Sequence, residues 1–383
     1  MIELVSRLAK RIDWVLFSAV MLIVAAGLVT MNSFNTIQGN AIRNTFFDHQ
    51  LVALSVALVT FFIASLIDWR FLKDSRVIIV IYGGAVAMLG FLFILGQAFK
   101  GAQSWFSFGS FSFQPTDLAK LAVILVLAKY FSRRHVEIAH VRHIIVSGLY
   151  VGIIFLLVFL QPDFGSAVII FAVWLGMVLV SGISKKHLLA VFLMGVVAFF
   201  VLWGFVFRPY QKARIVNFIH PLTNIRGTGY NAYQSTIAVG SGQLLGKGVG
   251  GGSQSRLQYL PEYQTDFVFA AFAEEWGFVG VIALFGLFGI VFGRMLIIAS
   301  RAGSNFEMLF GVGLTILFTV HATVNIGTNI GLLPVTGNTL PFMSYGGSHL
   351  ISEFLGLGIL MNVRAHGRAT HREKADNEIV GMQ

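Results

Sequence analysis

The stretch Ile144-Ile-Val-Ser-Gly-Leu-Tyr-Val-Gly-Ile-Ile-Phe-Leu-Leu-Val-Phe-Leu160 decides the fold class, because it runs for 17 residues without a charged side chain. A helix needs roughly 20 mostly apolar residues to cross the hydrocarbon core of a bilayer. Similar runs recur along the chain, so 56% of its 383 residues are hydrophobic and 11% are charged. Ordinary globular domains carry about 25% charged residues. The sequence therefore predicts an all-α polytopic membrane protein.

Apolar runs between charged or glycine-rich breakers predict ten transmembrane helices. They are expected near 13–33, 50–67, 77–96, 116–131, 144–160, 165–181, 188–207, 266–293, 308–330 and 347–363. The long stretch 208–265 between the seventh and eighth spans contains five tyrosines among its glycines, which favours a folded loop over a linker. We interpret 1–383 as one integral membrane domain with this loop and a tail at 364–383.

The basic residues predict the orientation, because cytoplasmic loops of membrane proteins are enriched in Lys and Arg. Eighteen of the 27 lie in segments that the predicted spans place on one side, together with both termini. We therefore expect cytoplasmic termini and an extracytoplasmic 208–265 loop. The net charge of +10 is spread over short loops, which argues against a nucleic-acid partner. The chain has no cysteine, which excludes disulfides and thiolate metal sites.

Carboxylates near the outer ends of spans are candidates for chemistry, because an ionisable group in a membrane is costly and by default functional. Asp266 stands where the 208–265 loop meets the next span, and Glu262 is its nearest acidic neighbour. At a helix start, Asp266 either caps exposed amides or acts as a general base on a hydroxyl.

Asp117 and Lys120 are three residues apart and share one face of the 116–131 span. They form a helix-stabilising pair, or Lys120 offers positive charge to a phosphate while Asp117 orients it. Arg208 and Arg214 begin the long loop and suit either a specific anionic lipid head group or bulk lipid phosphates. Trp105 belongs to an aromatic cluster that is more typical of an interfacial belt than of a ligand platform.

Several motifs resemble one family. The signature segment, Gly331-Leu-Leu-Pro-Val-Thr-Gly-Asn-Thr-Leu-Pro-Phe-Met-Ser-Tyr-Gly-Gly-Ser348, resembles that of the SEDS family, which comprises the RodA and FtsW proteins. Matches in the same order are Gln161-Pro-Asp-Phe-Gly165, Pro209-Tyr-Gln, Gly229-Tyr-Asn-Ala-Tyr-Gln-Ser235, Gly240-Ser-Gly-Gln, Leu260-Pro-Glu262 and Thr265-Asp-Phe267. Gly246-Lys-Gly248 and Thr336 resemble the RodA branch. His349 and Glu353 depart from the pattern, since small or neutral polar residues are usual there.

The resemblance implies a peptidoglycan glycosyltransferase of the bacterial inner membrane that polymerises lipid II during cell elongation. Its implied partners are a class B penicillin-binding protein and other elongation-machinery proteins. Asp266 matches the family's essential loop aspartate, and Asp117 with Lys120 matches its acidic residue and lysine. The candidate substrate-binding residues are Asp117, Lys120, Trp105, Arg208, Arg214, Glu262 and Ser344.

Two questions stay open at this point. No metal site is assigned, although a divalent cation (Mg or Mn) is compatible with pyrophosphate chemistry and the sequence shows no closed ligand set for it. A lipid II flippase or other transporter, and a non-catalytic scaffold of the elongation machinery, are the alternative functions. Surface-level carboxylates favour the enzyme over the transporter, whose key ionisable residues are expected near the bilayer midplane.

Overall fold

A computed structural model describes residues 11–33, 45–99, 102–108, 111–133, 141–220, 229–256 and 259–380. Thirteen α-helices occupy most of these residues. They are α1 (Trp14–Ser33), α2 (Thr45–Leu66), α3 (Ser75–Leu95), α4 (Pro115–Ser132), α5 (Val141–Leu160), α6 (Phe164–Val180), α7 (Lys185–Val201), α8 (Pro209–Ile219), α9 (Tyr230–Ser241), α10 (Ser253–Arg256), α11 (Val268–Ser300), α12 (Asn305–Asn329) and α13 (Gly347–Val380). A 3₁₀ segment, Trp69–Lys73, precedes α3, and a π-helical segment, Leu202–Val206, follows α7.

Seven helices in the described part of the chain are long and apolar enough to cross a membrane. They are α1, α2, α3, α5, α7 with its π-helical extension, α11 and α12. Helices α4, α6 and α13 coincide with the remaining predicted spans but fall outside this set; α6, for example, has 17 residues. The expected polytopic helical architecture is therefore present.

The all-α prediction is wrong between α3 and α4, where a small antiparallel sheet interrupts the helices. Its strands are β1 (Gln97–Phe99), β2 (Ala102–Phe108) and β3 (Phe111–Phe113), in the order β1-β2-β3. Gln97 pairs with Trp105, and Phe106 pairs with Phe113. Aromatic residues are enriched in β-strands, which explains why this phenylalanine-rich segment forms a sheet. The aromatic cluster predicted as a membrane belt therefore lies partly on a sheet.

The 208–265 segment is folded where the structure describes it, and α8, α9 and α10 belong to it. Helix α9 is anchored on the end of α12, because the buried Ser235 hydroxyl donates a 2.8 Å hydrogen bond to the carbonyl oxygen of Asn329. The described parts of this segment are therefore largely helical, and α9 is held against α12.

Helix α11 contains a break that the sequence analysis did not predict. Gly277 has φ 64° and ψ −167°, so the helix hydrogen bonds are interrupted there. Backbone groups of the glycine-rich segment 243–248 are the hydrogen-bond partners of α11 on both sides of the break. Phe278 N–H donates to Gln243 O (2.9 Å), Val279 N–H to Leu244 O (3.1 Å), Lys247 N–H to Glu274 O (3.0 Å) and Gly248 N–H to Glu275 O (3.0 Å).

Two buried carboxylates fasten the same segment. Glu274 Oε1 lies 2.8 Å from Lys247 Nζ and accepts the backbone N–H of Gln254 at 3.0 Å. Glu275 Oε1 accepts the Ser33 hydroxyl at 2.5 Å and the backbone N–H of Gly250 at 2.8 Å. These intramembrane acids therefore hold the loop against α11, which gives them a structural role.

Gly277→Ala is expected to destabilise the protein by about 2–5 kcal/mol, from backbone strain plus a steric clash. An alanine rarely adopts this φ, and its Cβ would collide with the backbone nitrogen of Gly246. Thermal unfolding in detergent measures the effect. Gly286→Ala is the matched control, because an added Cβ on that turn of α11 meets nothing within 4 Å. Equal unfolding temperatures for the two variants would contradict the break.

Candidate functional site

Asp266 lies in the turn that leads into α11 and is half-buried. Its backbone carbonyl oxygen accepts hydrogen bonds from the side-chain amides of Asn325 and Asn329, each at 2.9 Å. Asn329 also accepts the backbone N–H of Ala270 at 3.0 Å, in the first turn of α11. Two buried asparagines of α12 therefore fix the position of this aspartate. Their four-residue spacing is visible in the sequence, but their partner is not.

Glu262 shapes the turn before Asp266. It has a positive φ of 56°, and its carbonyl oxygen accepts the backbone N–H groups of Thr265 (3.1 Å) and Phe267 (3.2 Å). Its carboxylate accepts the Thr265 hydroxyl at 3.3 Å. Burial raises the pKa of Tyr263 in the same turn, so this phenol stays protonated at neutral pH. The contacts of Glu262 thus support a local role in forming the turn.

The signature segment 331–348 packs directly on this turn. The buried hydroxyl of Ser344 donates to the carbonyl oxygen of Thr265 at 2.7 Å and accepts the backbone N–H of Leu340 at 2.8 Å. Tyr345 N–H donates to Gln264 O at 2.8 Å. Ser344 therefore ties the signature segment to the residue before Asp266.

Arg214 reaches the same segment from α8. Its guanidinium donates to the carbonyl oxygen of Thr336 at 3.3 Å. The next residue, Gly337, has φ 75°, and a Cβ added there would lie 3.6 Å from Asp266 Oδ2. Arg214 thus contacts Thr336, and the carboxylate of Asp266 lies close to the adjacent residue, Gly337.

Arg208 and Trp105 lie at other positions. Arg208 is exposed at the start of α8, and its backbone N–H donates to the Gln211 side chain at 2.9 Å. Trp105 is half-buried on β2, beside Ser104, which donates to the carbonyl oxygen of Gln161 at 3.5 Å. These contacts lie away from the Asp266 turn, and the substrate-binding roles of Arg208 and Trp105 stay predictions.

Asp117 and Lys120 form the pair expected from their spacing, but deep in the protein rather than at an open surface. Lys120 Nζ lies 3.1 Å from Asp117 Oδ1, and the two side chains are 5% and 3% exposed. His349 Nδ1 lies 3.2 Å from the same oxygen, and His349 Nε2 lies 3.0 Å from Glu353 Oε1. Together these four residues, the charged cluster, line a small cavity with His321.

The charged cluster is balanced when His349 is protonated, because two cations then face two anions. Balance matters here, since an unpaired charge inside a membrane protein is costly. Sequence spacing indicated the Asp117–Lys120 and His349–Glu353 pairs separately. The two pairs are joined because His349 contacts Asp117, which lies 232 positions earlier in the chain. Local sequence patterns do not reveal a contact over this separation.

The family motif 161–165 also contacts the signature segment and its surroundings. Gln114 donates its side-chain N–H to Asp163 at 3.1 Å, and its backbone N–H donates to the Ser348 hydroxyl at 3.1 Å. A Cβ added at Gly165 would lie 2.5 Å from the carbonyl oxygen of Thr336, so this glycine permits close packing of α6 on the signature segment. In the described part of the chain, no group of three or more His, Asp or Glu residues is arranged to hold a metal ion.

Sequence comparisons identify the relatives of this chain. The family model described as a cell cycle protein, FtsW/RodA/SpoVE, matches residues 13–369. Peptidoglycan glycosyltransferase MrdB of Escherichia coli K12 is 40% identical over 275 residues, which cover 71% of this chain and 73% of MrdB. Stage V sporulation protein E of Bacillus subtilis is 33% identical over 366 residues, covering 93% of this chain and 98% of that protein.

Solved structures share the fold. A chain from a peptidoglycan synthase complex, described as coordinating polymerization and crosslinking, matches with a TM-score of 0.78 and 30% identity, covering 93% of this chain and 98% of its own. The rod shape determining protein RodA of Thermus thermophilus matches with a TM-score of 0.68 and 30% identity, covering 92% of this chain and 96% of its own. Because the family model spans almost the whole chain and the folds agree, this chain belongs to the FtsW/RodA/SpoVE family, the SEDS family.

Proposed function

We propose that this chain is a peptidoglycan glycosyltransferase that polymerises lipid II into glycan strands, with its reaction centre at the Asp266 turn. The observation that carries the proposal is the position of Asp266, whose backbone is fixed by Asn325 and Asn329 and whose carboxylate lies near Gly337. A carboxylate on a fixed backbone position, close to a loop that Arg214 contacts, suits proton removal from a sugar hydroxyl. The relatives named peptidoglycan glycosyltransferases support the assignment.

The proposed step is a direct displacement at the anomeric carbon of the donor chain. Asp266 removes the proton from the 4-hydroxyl of the acceptor sugar, and the oxygen attacks the anomeric carbon. The bond from that carbon to the polyprenyl pyrophosphate breaks as the new glycosidic bond forms, and the pyrophosphate leaves with the electron pair. A single displacement inverts the configuration of the attacked carbon.

Positive charge is needed where the pyrophosphate departs, since preorganised cations stabilise developing phosphate charge. Arg214 is the best-placed cation, because it contacts the loop that also approaches Asp266. Arg208 and Lys120 are the further candidates. A divalent cation, Mg²⁺ or Mn²⁺, would take its oxygen ligands from the pyrophosphate and would share the stabilisation of the departing charge. Titration with EDTA in the polymerisation assay tests this contribution.

The proposal includes a topology with ten membrane-spanning helices, α1–α7 and α11–α13, in the bacterial inner membrane. The seven apolar candidate spans and the Lys and Arg distribution support it. Both termini are then cytoplasmic, and 208–265 with the Asp266 turn faces outward. This places the reaction centre on the side where the glycan is assembled.

We further propose a class B penicillin-binding protein as the partner that crosslinks the strands, during cell elongation and with other elongation-machinery proteins. Support comes from the solved peptidoglycan synthase complex, described as coordinating polymerization with crosslinking, in which one chain shares this fold.

An experiment in liposomes separates this function from lipid transport. The purified chain and its partner are reconstituted with fluorescent lipid II, and gels report polymer while a membrane-impermeant quencher reports movement between leaflets. We expect loss of monomer and formation of long strands, with movement between leaflets at the protein-free rate. Faster movement without polymer would instead assign a flippase.

A further inference from the structure

The signature segment contains a strained residue. Phe342 has φ 62°, a left-handed conformation that is unfavourable for a bulky aromatic residue and needs surrounding structure to maintain it. Its ring is buried and contacts Phe318 and Phe354, with ring centroids 5.1 and 6.0 Å away. Its backbone N–H donates to Glu353 Oε2 at 3.0 Å. Glu353 therefore holds the backbone of the strained residue from one side.

Phe342 belongs to the turn 340–344, which also contacts the residue before Asp266. Two residues after Phe342, Ser344 accepts the backbone N–H of Leu340 and donates to the carbonyl oxygen of Thr265. Thr265 immediately precedes Asp266 in the chain. The turn 340–344 thus lies between the carboxylate of Glu353 and Thr265, the residue that precedes the proposed base.

Glu353 belongs to the charged cluster, so its position depends on His349. The two imidazole nitrogens of His349 lie 3.0 Å from Glu353 and 3.2 Å from Asp117, which also pairs with Lys120. The His321 ring packs against His349 with centroids 5.0 Å apart. An unbroken chain of contacts runs from Lys120 through His349 and Glu353 to the turn 340–344.

We propose that His349 and Glu353 are positioning residues for the transfer reaction. They couple the Asp117–Lys120 pair on α4 to the turn 340–344, and through Ser344 they set the position of Asp266. The proposal rests on the proposed function and deepens it, because it names residues that act on the base without touching the substrate.

The two functions of Glu353 are separable by substitution. Glu353→Ala removes both the acceptor for Phe342 N–H and the charge beside His349. Glu353→Gln retains an oxygen acceptor of the same reach but removes the charge. His349→Gln removes the imidazole that lies between Glu353 and Asp117. Ser352→Ala is the matched control within the same cavity, because its hydroxyl donates to the carbonyl oxygen of His349 in its own helix rather than to the turn 340–344.

The experiment measures kcat and KM for lipid II with the full chain, its partner present and the partner's transpeptidase blocked. We expect Glu353→Ala and His349→Gln to lower kcat about tenfold or more, because misplacement of a catalytic group reduces the rate of the chemical step. KM should change less than about threefold, since substrate contacts are not removed. Glu353→Gln should recover part of the loss through its retained acceptor, and Ser352→Ala should stay within about twofold of wild type.

The outcomes distinguish failure of the proposed function from failure of the positioning role. A wild-type complex without polymerase activity would overturn the proposed function itself. An active wild type with unchanged kcat in Glu353→Ala and His349→Gln would overturn the positioning role alone, and so would an increase confined to KM. If Glu353→Ala unfolds, the comparison between Glu353→Gln and His349→Gln, both close in size to the native residues, decides the question by the same criterion.

Discussion

Asp266→Ala is expected to reduce the initial rate of glycan synthesis about 1,000-fold, and Asp266→Asn by a similar factor, because general-base catalysis contributes on the order of 10²–10⁴. The asparagine side chain has nearly the same shape but does not take up the hydroxyl proton. Purified lipid II and separation of strands by length provide the measurement. A variant that retains more than about a tenth of the wild-type rate would remove Asp266 as the base.

The fold should tolerate the Asp266 substitutions, which makes this test clean. Asn325 and Asn329 bind the backbone carbonyl of Asp266, and that carbonyl is present in every variant. Unfolding temperatures in detergent should therefore stay close to wild type. Asp48→Asn is the control, because Asp48 is an aspartate near the start of another helix, α2, where it lies in the first turn and outside the Asp266 turn.

Lys120→Met is the second substitution with a large expected effect. It should lower the polymerisation rate about 100-fold and the free energy of unfolding by about 3–5 kcal/mol, because removing one partner leaves a buried charge uncompensated. The remaining cluster would contain two carboxylates and one histidine. Lys129→Met is the control on the same helix, since Lys129 bonds to the carbonyl oxygen of Lys73 and lies outside the cluster.

The double variant Asp117→Asn/Lys120→Met distinguishes the two interpretations of this pair. Removal of both charges leaves His349 and Glu353 as a balanced pair. The unfolding temperature should therefore return most of the way to the wild-type value. If Lys120 stabilises the departing pyrophosphate, the rate stays low in the double variant. Recovery of the rate together with stability would make the pair a purely structural one.

Hydropathy predicted the helices well because each needs only a local run of apolar residues. The β1–β3 sheet was missed since its strands are short and their aromatic residues also suit a membrane interface. The break in α11 was missed for a different reason. Gly277 lies inside the predicted 266–293 span, where a single glycine does not by itself predict a break, and the segment 243–248 that satisfies its neighbours lies about 30 residues earlier in the sequence. Only tertiary structure brings the two together.

The residues of the candidate site were also predicted from the sequence in part, whereas the contacts between them were not. Motif spacing singled out Asp266, and Asp117 with Lys120, as residues for chemistry. It did not show that Asn325 and Asn329 hold Asp266, or that His349 joins Asp117 to Glu353. These contacts connect different helices, so they depend on packing that periodicity within one helix does not encode. Arg208 and Arg214 looked equivalent in the sequence, but among the described residues it is Arg214 whose guanidinium donates a hydrogen bond to the signature segment.

The central claim is that this chain joins lipid-linked sugars, and the most direct measurement is product formation from pure components. The wild-type chain and its partner, with the transpeptidase blocked and no other transferase present, are incubated with lipid II. The account predicts long glycan strands that muramidase digests to disaccharide units. Lipid II that stays monomeric in the presence of a demonstrably folded complex would contradict it.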